Sequence, residues 1–259
     1  LLKTLDLALN ILLCFTKEKT SWGARELAKE LGISHANVYR ILSTFEANRF
    51  LVKDPETKKY SLGIRFWELG LLSYDAMNVG KLLRPVLQRL MEATSESVMV
   101  TSLDTNQGLT LEVLEPDNVV RYTVTVGSRA PLYVGASYRS ILAFMPEEKV
   151  EQIIAQGLVQ YTPKTMTDPD VLRADLATIR ETGIARSEGE YTPDIIALAV
   201  PIFHYNGKIM GSLTISGPTY RMTDEKVEHC IDMLKKAKVE IDEIVTKYQL
   251  DLSHYFISE

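Results

Sequence analysis

The sequence predicts an α+β protein in two parts, a mostly helical amino-terminal head and a larger body of mixed helix and strand. Three observations carry that prediction. A helix, a glycine turn and a capped helix follow one another between Ala24 and Asn48. Alternating apolar and polar runs recur in the body, two of them joined through Asn206-Gly207. The chain then closes on a long amphipathic stretch from Asp224 to Leu250.

At 259 residues the chain exceeds the usual size of one core, so two domains are expected. Hydrophobic residues make up 46%, enough to set disorder aside. No run approaches the ~20 apolar residues of a membrane span, and the opening Leu1-Leu2-Lys3-Thr4-Leu5 is amphipathic rather than a secretory core. Only Cys14 and Cys230 are present, too few for a disulfide framework and not in a Cys-x-x-Cys pair. A reducing, cytoplasmic location is expected, with no membrane partner. Because the chain opens on Leu1 rather than Met, a few residues are expected upstream.

The net charge of −5 is unevenly spread. Residues 1–73 hold 11 Lys+Arg and 8 Asp+Glu, a net +3, which leaves −8 on the rest. A polyanion is bound through Lys and Arg on its phosphates, so the head is where such a surface is expected.

Leu5, Leu9, Leu12 and Leu13 recur at helical spacing, predicting a first helix from Leu5 to Phe15 capped by Thr4. A second, Ala24 to Leu31, turns Leu27, Ala28 and Leu31 inward and stops at Gly32, whose freedom at positive φ suits a helix end. Ser34 then caps a third helix from His35 to about Asn48, with Val38, Ile41, Leu42 and Phe45 inward. Its outward face suits a major groove, since Asn can bond adenine and Arg guanine, while hydroxyls suit phosphates. His35, Asn37 and Arg40 are the candidates for base edges; Ser34, Tyr39 and Thr44 are those for the DNA backbone. Phe50-Leu51-Val52 and Lys59-Tyr60-Ser61-Leu62 read as a hairpin around Asp54-Pro55-Glu56-Thr57-Lys58, a wing whose Lys53, Lys58 and Lys59 can reach flanking phosphates. All-helical domains can show a similar pattern with merely solvated polar residues; here the block 21–62 as a whole favours double-stranded DNA as the partner.

From Gly63 to Asn78 the apolar positions Ile64, Phe66, Trp67, Leu69, Leu71 and Leu72 are dense for a connector, so a helix that packs on a partner chain, or simply joins two domains, is expected. Another helix should run from Lys81 to Ser95, followed by strands at Val98–Leu103, Leu109–Leu114 and Val119–Val126. Helices at Ser137–Phe144, Glu147–Gln156 and Pro169–Thr182 follow, the last between Asp168 as cap and Gly183 as stop. Strands Ile196–Phe203 and Lys208–Ser216 flank the Asn-Gly hairpin. In the final helix, Val227, Cys230, Leu234, Ala237, Ile241, Ile244 and Tyr248 form an apolar row, making Cys230 a core thiol.

The run Leu27-Ala28-Lys29-Glu30-Leu31-Gly32-Ile33-Ser34, with Val38-Tyr39-Arg40-Ile41-Leu42 and Tyr60-Ser61-Leu62-Gly63, resembles the IclR family of bacterial regulators. The likeness continues through Gly127-Ser128-Arg129-Ala130-Pro131-Leu132, Ile141-Leu142-Ala143, Glu190, Ala199-Val200-Pro201-Ile202 and Gly211-Ser212-Leu213-Thr214-Ile215-Ser216-Gly217-Pro218, in order. Each motif is weak alone; their joint order is specific. The resemblance implies a winged helix-turn-helix DNA-binding domain over 1–62, a linker helix over 63–79 and a GAF-like α/β effector-binding domain over 80–259. It also implies a transcriptional regulator, repressor or activator, binding an operator as a homodimer or homotetramer. The implied effector is a small organic molecule, frequently a carboxylic or aromatic acid, and no cofactor is implied. Carried over position by position, the effector site takes in Leu132, Tyr133, the Gly135-Ala136 backbone, Ser187, Ala197, Thr214 and Ser216. The chemistry agrees, since N–H groups and hydroxyls hold an anion while Leu132 and Tyr133 wrap its apolar part.

Several positions depart from the family pattern. Ser187 stands where an Asp is common, Ala197 where a Cys is common, Tyr138 in place of a helix Gly and Asp194 in place of a Gly before the strand. Arg129 and Arg139 are candidates to pair with an anion, but are read as surface residues.

An enzyme is disfavoured. His35, His204, His229 and His254 form no metal-binding spacing, and no Gly-x-Ser-x-Gly, Gly-x-Gly-x-x-Gly or P-loop sequence occurs. His229 and Cys230 are helix neighbours about 100° apart and do not face each other. The remaining alternative is a winged-helix protein-interaction scaffold that binds no DNA, separable by the steep salt dependence that counterion release imposes on duplex binding.

Overall fold

A computed structural model describes residues 2–16, 18–77, 79–117, 122 and 124–252. The chain divides into two compact units, Leu1–Ala76 and Met77–Glu259.

In the first unit α1 (Lys3–Leu13) leads to a two-residue strand β1 (Ser21–Trp22), α2 (Ala24–Glu30) and α3 (His35–Ala47). Strands β2 (Leu51–Lys53) and β3 (Tyr60–Leu62) make the hairpin, and α4 (Ile64–Met77) follows. The core gathers Ile11, Trp22, Leu27, Val38, Ile41, Leu42, Leu51 and Tyr60. The face of α1 differs from expectation. Leu5, Leu9 and Leu13 are exposed, and the helix instead buries Ile11 with Leu7, Ala8 and Leu12 beside it. Its N-cap is Leu2, with no side-chain cap, rather than Thr4. The strand β1 carried no alternating run to announce it; it is held by antiparallel pairing with β3 and by the Trp22 indole donating to the Cys14 carbonyl at 2.8 Å. Gly63 leaves no room for a β-carbon, which would collide with the carbonyl of Arg49, and its N–H donates to the Phe50 carbonyl at 2.7 Å. In α4 Phe66 packs edge-on against Phe50, while Ile64, Trp67, Leu69, Leu71 and Leu72 are exposed.

The second unit is one six-stranded antiparallel sheet with helices on both faces. After α5 (Val79–Thr94), β4 (Ser97–Asp104), β5 (Gln107–Leu114) and β6 (Arg129–Pro131) come α6 (Ala136–Leu142), α7 (Glu147–Ala155) and α8 (Pro169–Thr182). Then follow β7 (Ala185–Glu188), β8 (Ile195–Phe203), β9 (Ile209–Pro218) and α9 (Asp224–Tyr248), and the sheet order is β6-β5-β4-β9-β8-β7. Of the strand expected at Val119–Val126, residues 119–121 and 123 lie outside the described residues, and Tyr122 and Val124–Val126 are not in a strand. The three-residue β6 and four-residue β7 escaped the sequence because neither spans enough residues for alternation to register.

Strand alternation divides the sheet's two faces by chemistry. Val98 and Val100 of β4, Leu213 and Ile215 of β9 and Leu198, Val200 and Ile202 of β8 pack with α5 and α9. In α9 the buried row is Val227, Cys230, Leu234, Ala237, Ile241 and Val245; Ile244 is only partly buried and Tyr248 is exposed. The other face, under α6, carries the hydroxyls of Thr101, Ser212, Thr214 and Ser216.

Candidate DNA interface and effector cavity

Within the first unit, the Ser34 hydroxyl accepts the Asn37 N–H at 3.3 Å, fixing the start of α3 as the sequence anticipates. Gly32 at φ +65° makes the turn before it, and Glu26 Oε2 accepts the Gly23 N–H at 2.8 Å at the start of α2. With Val38, Ile41 and Leu42 buried, His35, Asn37, Tyr39, Arg40 and Thr44 project outward together. Thr44 donates to the Arg40 carbonyl at 2.9 Å, leaving its oxygen lone pairs as the outward group. Asn37, Arg40 and Thr44 also border a hollow shared with Thr4 and Leu5 of α1.

Tyr39 ties this face to the wing. Its ring lies 6.3 Å from that of His35, and the Lys53 ammonium sits 5.6 Å from its centre. The wing turn is built by Asp54, whose carboxylate accepts from Glu56 N–H at 2.7 Å and Thr57 N–H at 2.9 Å; those two donors, Thr57 first, hold its carboxyl below the ordinary range. Lys58 donates to the Pro55 carbonyl at 2.6 Å, and Lys59 lies 3.4 Å from the Glu26 carboxylate. All three wing lysines are thus partly engaged within the head.

In the second unit a cavity lies between α6 and the hydroxyl face of the sheet. Of the expected positions, Gly135, Ala136, Ser187, Ala197 and Ser216 line it, joined by Met99, Ser137 and Glu190 and by the rings of Tyr122, Tyr138 and Tyr191. Three expected positions do not. Leu132 is fully buried among the side chains of α6, α7 and α8; Tyr133 turns its hydroxyl to Val159, accepting the N–H at 2.8 Å; Thr214 is covered by Ser137, hydroxyl to hydroxyl at 2.8 Å. Thr214 and Ser216 share a strand face, but the helix crosses directly over the first. The cavity volume is ≈ 40 Å³, the space of one or a few waters.

Arg139 is not a surface residue. It is fully buried, its Nε donating to Asp175 at 2.7 Å, another nitrogen to the Arg186 carbonyl at 2.6 Å and a third to the Glu190 carboxylate. Burial pulls its guanidinium below the ordinary arginine range, and Asp175 opposes that. Glu190, itself buried, also accepts the Gly135 N–H at 3.3 Å. Arg129 is spent on Asp104. The two arginines are structural partners of carboxylates. Among the described residues no group of three His, Cys, Asp or Glu side chains is placed to hold a metal ion, and no helix is long and apolar enough to cross a membrane.

Both units have counterparts among characterised proteins. The model of the IclR helix-turn-helix domain matches residues 4–55, and that of the bacterial transcriptional regulator IclR C-terminal domain matches residues 72–243. The chain belongs to the IclR family. Among its relatives is the HTH-type transcriptional regulator KipR of Bacillus subtilis, 31% identical over 224 residues, 86% of this chain and 89% of that one. The transcriptional repressor IclR of Escherichia coli is 26% identical over 242 residues, 92% of this chain and 88% of that one. In structure, the IclR regulator of Alicyclobacillus acidocaldarius aligns with a TM-score of 0.85 at 28% identity, covering 94% of this chain and 99% of its own. An IclR homologue of Microbacterium hydrocarbonoxydans, complexed with 4-hydroxybenzoate, shares the fold with a TM-score of 0.82 at 24% identity, covering 94% and 99%.

Measured against the IclR motifs, sequence reasoning missed Tyr122, Tyr191 and the buried role of Arg139. One signal for Arg139 was available. The α6 sequence Ala-Ser-Tyr-Arg-Ser-Ile-Leu offers no polar face broad enough for solvent, and every one of its residues is buried.

Proposed function

We propose that this IclR-family regulator reads its operator through α3 and the wing, and that the cavity beneath α6 binds a small organic acid that modulates operator affinity. His35, Asn37 and Arg40 are assigned to base edges; Ser34, Tyr39, Thr44, Lys53, Lys58 and Lys59 are assigned to the DNA backbone. The observation that carries the DNA reading is the continuous outward strip from His35 through Tyr39 to Lys53, which spans helix and wing. For the effector, support comes from the hydroxyl of Ser216 and the backbone of Gly135 and Ala136 at the cavity wall, and from the Microbacterium homologue that shares the fold and holds 4-hydroxybenzoate. Two heads, supplied by a homodimer or homotetramer, would engage half-sites spaced by helical turns.

The test is duplex binding of the full chain across a salt series, with and without a panel of carboxylic acids. Specific binding that weakens steeply with salt and shifts with one acid is the expected result. Binding insensitive to salt, or no preference among duplexes, would overturn the DNA assignment; operator affinity unmoved by any ligand that binds the second unit would overturn the effector role.

A further inference from the structure

We propose that the ring of Tyr138, seated against Gly108, sets the size limit of the cavity, so that the effector is a small aliphatic acid and an aromatic acid is shut out. This rests on the effector reading above and narrows it.

Tyr138 is at the third position of α6 and only 9% exposed, with its ring on the cavity wall. The ring lies against the backbone of Gly108 in β5, where a β-carbon would collide with two ring carbons, the Thr101 methyl being next nearest. Gly108 therefore vacates the slot that Tyr138 fills. Desolvation of the buried phenol pushes it up to about 12. Seated on Gly108, the ring occupies space that a ligand would otherwise enter. What remains is ≈ 40 Å³, whereas enclosing a benzene-sized molecule takes roughly 150 Å³. Ser216 supplies a hydroxyl within that remainder, the Ser137 hydroxyl being engaged with Thr214, which suits a short acid or hydroxy acid.

Calorimetric titration of the full chain with 4-hydroxybenzoate and with acetate, lactate and glyoxylate tests this in wild type, Tyr138→Ala and Tyr138→Phe. We expect Tyr138→Ala to bind 4-hydroxybenzoate at least tenfold more tightly than wild type, and Tyr138→Phe, which keeps the ring, to stay like wild type. Equal affinity of wild type and Tyr138→Ala for 4-hydroxybenzoate, or equal absence of binding with Tyr138→Ala folded, overturns the size limit. If Tyr138→Ala does not fold, Tyr138→Leu replaces it with the same expectation. A stability cycle supplies an independent arm: Gly108→Ala should be strongly destabilising in wild type and far milder beside Tyr138→Leu, and additive effects would overturn the pairing. A gain in 4-hydroxybenzoate affinity with no ligand effect on operator binding would uphold the size limit and sink the effector reading; the reverse pattern separates the two the other way.

Discussion

Ser137 Oγ and Thr214 Oγ1 stand 2.8 Å apart, both buried, and satisfy one another across the gap between α6 and β9. On the same sheet face and the same helix, the buried hydroxyls of Thr101, Ser140 and Ser212 have no protein partner.

These two situations predict opposite responses to truncation. Ser137→Ala orphans Thr214 and should cost about 1–3 kcal/mol. Ser140→Ala and Ser212→Ala remove hydroxyls that satisfy no neighbour and should leave stability unchanged or raised. Urea unfolding of the three variants decides it; a loss at Ser140 equal to that at Ser137 would contradict the assignment.

Arg139 carries a heavier consequence. Arg139→Met leaves Glu190 and Asp175 without the cation they share, an arrangement expected to cost about 3–5 kcal/mol. Adding Glu190→Gln should restore part of the loss, because one of the stranded carboxylates is then neutral. Denaturation of the single and double variants checks this, and a double variant no more stable than Arg139→Met counts against it.

On DNA, Arg40→Ala should weaken specific binding by about 1–3 kcal/mol and relax preference at one base position. A uniform loss over all duplexes would place Arg40 on the phosphates instead. On the proposed assignment of Lys59 to the DNA backbone, its pairing with Glu26 opposes DNA contact, so Glu26→Gln should tighten binding and Lys59→Met should cost more in that background than in wild type. Fluorescence anisotropy over a salt series reads both.

The two thiols should differ. Cys230 is fully buried against α5 and the sheet, and burial pushes it up to about 11, whereas Cys14 is partly exposed. Iodoacetamide at pH 8 should label Cys14 and spare Cys230. Because the folded thiol holds its proton to a higher pH than an unfolded one, with an ordinary value of 9.0, its contribution is complete below pH 9 and is lost as pH rises through 11. Cys230→Ala should remove that part of the alkaline decline, which stability measurements between pH 8 and 11 will show.

Much of this was legible wherever a local rule governs. The turn at Gly32 and Ser34, the Asp168 and Gly183 ends of α8 and the Asn-Gly hairpin are each determined by a few adjacent residues, and the structure has them where the sequence places them. The misreadings fall where a partner distant in sequence decides. Leu5, Leu9 and Leu13 satisfy the spacing of an inward face, yet α1 rolls to put Ile11 inward because Trp22 and the other helices present their surface there. The resemblance supplies Thr214, and strand alternation gives its face but not the Ser137 hydroxyl that crosses it; the usual solvation of arginine hides the burial of Arg139. The shape of the cavity was hidden for the same reason: Tyr138 was visible as an unusual residue, while its seat on Gly108, thirty positions earlier, exists only after the sheet closes.

The two faces of the six-stranded sheet differ in how their side chains meet the helices above them. Aliphatic side chains on one side fasten α5 and α9, and they can drift only within the volume of a packed core. The hydroxyls on the other are fitted to α6 one at a time, so a change at Ser137 disturbs Thr214 while a change at Ser140 or Ser212 disturbs no hydrogen-bond partner. On the proposed effector reading, a lineage can alter what it senses at such unpartnered hydroxyls and leave the α5 and α9 side as it is.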